Sequence, residues 1–310
     1  MSLSRTDDPP AMTDREFRLF AELVRSHCGL AFGPDTRFLL ESRIARRMRD
    51  IQISSCSAYH YELRKDKRRD GELANLIDEL TTNETYFFRE RGQLRALLRE
   101  ILPEGLMARR ERSGGPVSIW SAGCASGEEP YSIVMLAMEA GFDPGQDLRV
   151  YASDISRRML RRARKGSYRE ASFRETEPAL REKYFEEKDG VFTISERVRQ
   201  CVDFIHLNLM DRSRIALLGA MDVILCRNVI IYFDADGKRD VIRMFEEKLR
   251  PGGHLLLGHS ESLINLSTSL ELRHLESDLV YRRPRPGLSS DPDPWHLAAR
   301  LAIGDAERES

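Results

Sequence analysis

From residue 117 to about residue 283, short apolar segments typical of strands alternate with amphipathic segments of helical period. The strand segments read "VSIWSAG", "LRVYASD", "VDFIHLNL", "MDVILC" and "HLLLGH", and helical segments such as "EPYSIVMLAMEAG" and "ISRRMLRRARKG" separate several of them. This alternation predicts an α/β fold, in which helices cover both faces of a mostly parallel sheet. Ligands of such sheets bind in the crevice at the carboxyl ends of the strands. A site is therefore expected at the strand ends.

Residues 1–12 are expected to form a loose tail, and residues 13–82 show helical periodicity and no convincing strand. Thr13 and Glu16 form a capping box that opens one helix. In a second helix, which begins near residue 35, we expect Phe38 and Leu39 to pack inward with Ile44. Two shorter helices are expected near 57–65 and 70–80. We therefore expect three units and a tail: a small helical domain (13–82), a linker segment with a helix (83–112), an α/β domain (113–283) and a loosely ordered tail (284–310).

A hairpin is predicted inside the α/β domain, where Asp189-Gly190 is flanked by short alternating segments. It indicates a small antiparallel β insertion over 183–205. The segment "LRHLESDLVYRR" predicts a further strand or hairpin at the end of the domain.

Composition limits the class of protein. Hydrophobic content of 41% and charged content of 32% are typical of a globular chain. The apolar runs are far shorter than the ~20 residues of a membrane-spanning helix, and no secretion signal is visible, so we expect a cytoplasmic protein that does not insert into membranes. The five cysteines are scattered without zinc spacing, so no metal site is predicted.

The turn after the first strand, "SAGCASGEEPYS", has glycines that let a ligand approach the backbone and the start of the next helix. It lacks the full dinucleotide pattern, and a turn without a ligand is the alternative. Glu128 and Glu129 would repel a pyrophosphate but attract a sulfonium or ammonium group. Asp154, at the end of the second strand, suits ribose hydroxyls, although it is equally suited to cap the following helix. These features favour S-adenosylmethionine over NAD.

Further polar residues follow two other strands. Arg227 and Asn228 follow "MDVIL", and Asn208 ends "VDFIHLNL". Tyr232 lies close behind Arg227; considered alone it is more typical of aromatic packing, but at the same crevice it is a candidate to contact the substrate.

The segment "TTNETYFFRE" (81–90) combines hydroxyls, an amide, three aromatics and an arginine. It suits neither a surface loop nor a core strand. Together with "SAGCASGEEPYS", "ASDIS", "CRNVIIYFD" and "LRPGGHLLLGHSES", in this order, it resembles the motif set of the CheR chemotaxis receptor glutamate methyltransferases. The resemblance covers roughly residues 13–283. It implies a helical N-terminal domain and a class I methyltransferase domain with a small antiparallel subdomain.

The resemblance also implies roles for individual residues. Arg89 is expected near the reacting end of the methyl donor, and Tyr232 is expected to face the methyl group. Glu129 is expected to meet the methionine amino group and Asp154 the ribose. Phe87 and Phe88 are expected to anchor their segment between the domains. The remaining residues expected around S-adenosylmethionine are Asn83, Thr85, Asn208, Leu209, Arg227 and Asn228.

The implied reaction transfers a methyl group to a glutamate carboxylate and leaves S-adenosylhomocysteine. Such a carboxylate, with a reference pKa of about 4.3, is already ionised at neutral pH and needs no general base. Catalysis then depends on alignment and exclusion of water, with Arg89 steering the acceptor and Tyr232 holding it.

The implied partner is the helical cytoplasmic region of a methyl-accepting chemoreceptor. The helix over 35–50 is rich in arginine (Arg43, Arg46, Arg47 and Arg49) and is expected to dock this acidic surface, with a solvated helix face as the alternative. No nucleic-acid signature is visible. The hairpin lacks the glycine cluster with which some family members grip a receptor pentapeptide, so that tether is not expected. We expect a monomer.

Two other functions stay open at this point. One is a methyltransferase that acts on another protein or on RNA, which "TTNETYFFRE" disfavours. The other is a non-catalytic S-adenosylmethionine-binding scaffold, which would need Asp154 and Arg89 but not Tyr232.

Overall fold

The computed structural model describes residues 12–65, 71–112 and 114–285. Most of the tail predicted over 284–310 lies outside these residues. Within them, no helix has both the length and the apolar character that crossing a membrane requires.

Four helices form the N-terminal part. The predicted capping box is confirmed, because the Thr13 hydroxyl accepts from the Glu16 amide while the Glu16 carboxylate accepts from the Thr13 amide. Gly29, in the left-handed region at φ 79°, ends the first helix. The helices are α1 (Asp14–Cys28), α2 (Arg37–Asp50, after a 3₁₀ turn at Pro34–Thr36), α3 (Cys56–Lys65) and α4 (Glu72–Leu80).

The buried stripe of α2 differs from the prediction. Leu40, Ile44 and Met48 are buried at a spacing of four residues, whereas the Phe38 side chain is 78% exposed and Leu39 is 50% exposed. Each helical residue advances by about 100°, so the residues just before Leu40 point away from a stripe centred on it. The prediction that Phe38 and Leu39 pack inward was wrong.

A seven-stranded sheet forms the larger part. Its strands are β1 (Val117–Ala122), β2 (Leu148–Asp154), β6 (Val202–His206), β7 (Met221–Cys226), β8 (Leu249–Leu257), β9 (Glu271–His274) and β10 (Leu279–Arg282). They lie in the order β6-β2-β1-β7-β8-β10-β9. The first five strands in this order are parallel, and β10 and β9 add an antiparallel edge. The predicted α/β class and the terminal hairpin are confirmed.

Helices cover both faces of this sheet. One buried cluster lies on the face that includes Val117 and Tyr131, and a second lies on the face that includes Trp120 and Phe245. The helices are α5 (Arg91–Ala96), which continues through a π turn into α6 (Leu102–Arg112), then α7 (Glu128–Glu139), α8 (Arg157–Lys165), α9 (Pro178–Tyr184), α10 (Glu196–Arg199), α11 (Arg212–Ile215) and α12 (Ala235–Lys248).

A second sheet of three strands lies beside the main one. It pairs β3 (Ser167–Tyr168) and β4 (Phe185–Lys188) with the central strand β5 (Val191–Ile194), and the Asp189-Gly190 turn joins β4 to β5. The sheet thus recruits a strand from before residue 183, while the end of the 183–205 segment belongs to β6 of the main sheet.

The order of the main sheet fixes where a ligand can bind. The chain runs from β1 outward through β2 to β6 and then returns to the other side of β1 as β7. The loops after β1 and β7 therefore diverge and leave a crevice at their carboxyl ends.

Candidate active site

A cavity occupies this crevice, and the N-terminal part forms one of its walls. Its walls come from the end of α1, the 81–89 segment and the loops after β1, β2, β6 and β7. The structure brings together at this cavity every residue predicted for the site: Asn83, Thr85, Arg89, Glu129, Asp154, Asn208, Leu209, Arg227, Asn228 and Tyr232. Their individual roles stay predictions.

The turn after β1 approaches the cavity with its backbone. Gly123 has φ 86°, and a Cβ there would lie 2.4 Å from a methyl group of Val229, so a side chain does not fit. The two acidic residues that follow this turn, Glu128 and Glu129, lie in different environments. Glu128 is buried and accepts from the hydroxyls of Ser126 and Ser172, and burial raises the pKa of its carboxyl. Of this pair, only Glu129 borders the cavity.

Three charged groups form a cluster, of which Glu129 and Arg227 border the cavity and Glu90 does not. Arg227 Nε lies 2.9 Å from a carboxylate oxygen of Glu129 and 3.7 Å from one of Glu90. The Arg227 side chain is only 2% exposed, and both carboxylates are largely buried. Ser121 also donates to Glu129, at 2.6 Å. Two carboxylates against one guanidinium leave a net charge of −1, so this cluster favours one further cation.

Asp154 lies at the end of β2 with both oxygens engaged by the backbone. One oxygen accepts from the Ala125 amide at 2.8 Å and the other from the Ser156 amide at 2.7 Å. The cap of α8 is instead Ser156, whose hydroxyl accepts from the Met159 amide. Burial raises the pKa of Asp154 to about 6 despite the backbone hydrogen bonds. Each carboxylate oxygen has a second lone pair available to a ligand hydroxyl.

The 81–90 segment closes the cavity through its backbone and its arginine. Arg227 donates to the Arg89 carbonyl at 2.6 Å, and the Arg89 guanidinium donates to the Glu84 carbonyl at 3.1 Å. The Asn83 amide group folds back onto Thr81.

Phe87 and Phe88 do not lie between the domains as expected. The Phe87 ring packs against Tyr168, Phe173 and Phe185, with centroids 4.8 to 5.1 Å away. The Phe88 amide donates to the Ser132 hydroxyl of α7 at 2.9 Å. Both rings are buried in the core of the α/β part, because the small sheet and α7 supply the apolar surface there. They anchor the segment to that part.

The N-terminal part contributes a wall that the sequence did not predict. Asn208 donates to the His27 carbonyl at 2.6 Å, and the Ala31 amide donates to the Tyr232 carbonyl at 2.9 Å. Cys28 and Leu30 border the cavity directly. The sequence analysis gave neither Cys28 nor Leu30 a role at the site.

Tyr232 borders both the cavity and a groove beside it. Ile230 and Phe233 are buried, whereas Ile231 is 38% exposed and Tyr232 is 37% exposed. Packing in the core therefore accounts for Ile230 and Phe233 but not for Tyr232. Sequence reasoning also gave no role to Glu261, which binds the loop that carries this tyrosine.

The fold and this cavity define a class I S-adenosylmethionine-dependent methyltransferase. The donor's groups match the available partners: ribose hydroxyls for Asp154 and an ammonium for the Glu129 cluster. Asn228 borders the cavity, and its buried Oδ1 has no hydrogen-bond partner within residues 12–65, 71–112 and 114–285. An unmatched buried acceptor next to a cavity is the expected trace of a polar ligand.

The comparisons with known proteins agree. Residues 15–81 match the family model "CheR methyltransferase, all-alpha domain", and residues 83–278 match "CheR methyltransferase, SAM binding domain". "Chemotaxis protein methyltransferase 2" of Vibrio cholerae is 36% identical over 282 residues, covering 90% of this chain and 96% of the relative. "Chemotaxis protein methyltransferase" of Escherichia coli K12 is 35% identical over 268 residues, covering 85% and 90%.

The chain belongs to the CheR methyltransferase family. It is a methyltransferase, and S-adenosylmethionine is its cofactor.

Proposed function

We propose that this protein methylates glutamate side chains on the cytoplasmic helices of chemoreceptors. The products are glutamate γ-methyl esters and S-adenosylhomocysteine. The support is twofold: relatives named for chemotaxis match along most of the chain, and Tyr232 borders both the cavity and an adjoining groove that has arginines on two walls. This basic groove beside the cavity is the observation that carries the proposal, because it would hold an anionic acceptor next to Tyr232. The protein would act as a monomer in the cytoplasm, where these acceptor helices lie.

The cavity residues divide by the part of the cofactor that they suit. Asp154 suits the ribose hydroxyls, and the Glu129 cluster suits the methionine ammonium. We assign Arg227 and Asn228 to the methionine end, with Asn208 and Leu209 near the adenine. Asn83, Thr85 and Arg89 would cover the cofactor from the linker side.

The chemistry asks little of the chain beyond positioning. Bound S-adenosylmethionine supplies an electrophilic methyl group on its sulfonium. The acceptor glutamate arrives ionised, so no side chain has to remove a proton. Tyr232 would donate a hydrogen bond that orients the acceptor carboxylate, and Arg89 would attract it towards the cavity. The closed wall formed by the end of α1 would exclude water from the reacting groups.

The groove beside the cavity is the proposed docking groove for the receptor. It runs between α2, the end of α4, the start of α8 and Tyr232. Its basic residues are Arg43 and Arg46 on α2 and Arg158 and Arg162 on α8. Leu39 also borders it, so an acidic helix with an apolar side would match both the charge and the exposed leucine.

Two of the four arginines predicted for docking do not border this groove. The Arg47 side chain is 15% exposed, and its guanidinium lies 2.7 Å from the Glu72 carboxylate. Arg47 therefore forms an ion pair within the N-terminal helical part. Arg49 is exposed but lies away from the groove lining. The docking role of α2 is therefore proposed for Arg43 and Arg46. Both also lie within 4 Å of Glu79, at 3.8 and 3.3 Å, which reduces their net attraction for an acidic partner.

The test mixes the purified protein with radiolabelled S-adenosylmethionine and helical cytoplasmic fragments of chemoreceptors from the same organism. Label on receptor glutamates that mild base releases as methanol would support the proposal. Cofactor binding without transfer to any fragment would contradict it and favour a scaffold or another acceptor. Fragments with the acceptor glutamates changed to glutamine serve as the control and should stay unlabelled.

A further inference from the structure

The loop between β7 and the 3₁₀ turn Ile230–Tyr232 has an unusual backbone. Asn228 has φ 59°, in the left-handed region that a side chain seldom adopts. This short loop nevertheless carries Arg227, Asn228 and Tyr232, which all border the cavity. Something must hold its conformation, because such a backbone persists only when the surroundings determine it.

A single carboxylate holds it. Glu261 Oε2 accepts from the Asn228 amide at 2.7 Å and from the Gly258 amide at 2.7 Å. Glu261 Oε1 accepts from the Val229 amide at 2.9 Å and from the Ile231 amide at 3.2 Å. All four acceptor sites of the carboxylate are therefore engaged, and the loops that follow the adjacent strands β7 and β8 are joined.

The packing around Gly258 shows how close the two loops lie. A Cβ at Gly258 would be 2.9 Å from the Asn228 backbone and side-chain nitrogens and 3.0 Å from Glu261 Oε2. A side chain at 258 would therefore push the loops apart. Burial raises the pKa of Glu261, while the hydrogen bonds from the four amides oppose that rise.

We propose that Glu261 is a positioning residue for methyl transfer, which fixes the Arg227–Tyr232 loop so that Asn228 faces the cofactor and Tyr232 faces the acceptor. Glu261 itself does not border the cavity, so it acts through the loop. The inference rests on the proposed function for the role of Tyr232. A carboxylate is required because four N–H donors converge on it, and an amide would turn an NH₂ group towards at least one of them.

The test compares the variants Glu261→Gln, Glu261→Asp and Glu247→Gln. Glu247 serves as the control position because it is an exposed glutamate on α12, whose carboxylate lies 3.9 Å from the Arg212 guanidinium. With S-adenosylmethionine and a receptor fragment, Glu261→Gln should lower kcat about 10- to 100-fold with a smaller change in KM, since small displacements of a positioned group cost that much. Glu261→Asp keeps the charge and should recover part of kcat. Glu247→Gln should match the wild-type protein.

A second readout does not depend on the acceptor. In protein labelled with 3-fluorotyrosine, the ¹⁹F resonance of Tyr232, identified by its loss in Tyr232→Phe, should shift or broaden in Glu261→Gln and stay unchanged in Glu247→Gln. An unchanged resonance together with wild-type kcat would overturn the proposal. So would a fall in thermal stability with an unchanged resonance, which indicates a merely structural role. If no receptor fragment is methylated even by the wild-type protein, the proposed function fails, but the resonance still tests Glu261.

If Glu261→Gln does not fold, Glu261→Asp supports the proposal when it folds, shifts the resonance and lowers kcat. Glu261→Asp overturns the proposal when it folds but neither shifts the resonance nor lowers kcat.

Discussion

The charged residues of the cavity and those of the α2 surface are held in opposite ways. In the cavity, Arg227 and Asp154 are buried, and each has several fixed partners. On α2, Arg46 is 55% exposed and lies 3.3 Å from the Glu79 carboxylate. Buried charges act at short range through fixed hydrogen bonds, whereas exposed charges act at long range through a field that salt screens. Substitutions in the two regions should therefore differ in size, in salt dependence and in the kinetic constant that they change.

The largest effect is expected at Asp154. Asp154→Ala removes an acceptor for both ribose hydroxyls, so the affinity for S-adenosylmethionine should fall about 100-fold, as expected for about 3 kcal/mol of charge-assisted hydrogen bonding. Isothermal titration calorimetry at low and high salt would measure it. The loss should be the same at both salt concentrations, and a loss smaller than threefold would contradict the ribose assignment.

A smaller effect is expected at Tyr232, which borders both the cavity and the groove beside it. Tyr232→Phe removes one hydroxyl at the rim while keeping the ring, so kcat for methyl transfer should fall about tenfold or more, the usual cost of a hydrogen bond to a charged group. The dissociation constant of S-adenosylmethionine should be nearly unchanged. An equal loss of cofactor affinity would place Tyr232 among the cofactor contacts instead.

The sequence predicted the cavity well because topology does most of the positioning there. Asp154, Asn208 and Arg227 each follow a strand, and neighbouring parallel strands bring their carboxyl ends together whatever the helices do. The prediction from sequence failed where the angular position of a residue on its helix determines whether the side chain is buried. Phe38 lies two residues before the buried Leu40, and that offset is enough to place it in solvent.

Hydrogen bonds between residues far apart in the chain also could not be predicted from the sequence. Glu261 is 33 residues from Asn228, and Asn208 is 181 residues from the His27 carbonyl that it contacts. The residues around Glu261 and Asn208 do not indicate which distant backbone group each side chain contacts. Only the folded arrangement of β7, β8 and the end of α1 brings these groups together.

Protonation of Asp154 should make both the stability of the folded protein and its affinity for the cofactor depend on pH. Its pKa of about 6 in the folded protein lies above the ordinary 3.8. As the pH falls through about 6, the folded, cofactor-free protein takes up a proton that the unfolded chain takes up only near pH 4. Asp154 thus adds stability in acid and removes it as the pH rises through 6.

Cofactor binding should change in the opposite direction, because the proton occupies an oxygen that the ribose needs. Below pH 6, affinity should fall up to about tenfold per pH unit, as the ionised fraction does. Calorimetric titrations between pH 5 and 8 would measure this, and Asp154→Asn should bind weakly but with a flat profile. A wild-type profile that is equally flat would contradict the assignment.

The smallest effect on activity is expected on α2, and two neighbouring arginines separate docking from stability there. Arg46→Ala should raise KM for a receptor fragment about two- to fivefold at low salt, the range of an exposed ion pair. The difference should disappear at high salt, and the melting temperature should not change. Arg47→Ala should instead lower the melting temperature, because it removes the guanidinium that lies 2.7 Å from the partly buried Glu72 carboxylate, and should leave the salt dependence of KM as in the wild-type protein. Steady-state kinetics at two ionic strengths together with thermal unfolding would measure both. If Arg47→Ala rather than Arg46→Ala changed the salt dependence, the receptor would dock on the face of α2 that packs towards α4, and the groove beside Tyr232 would lose its role.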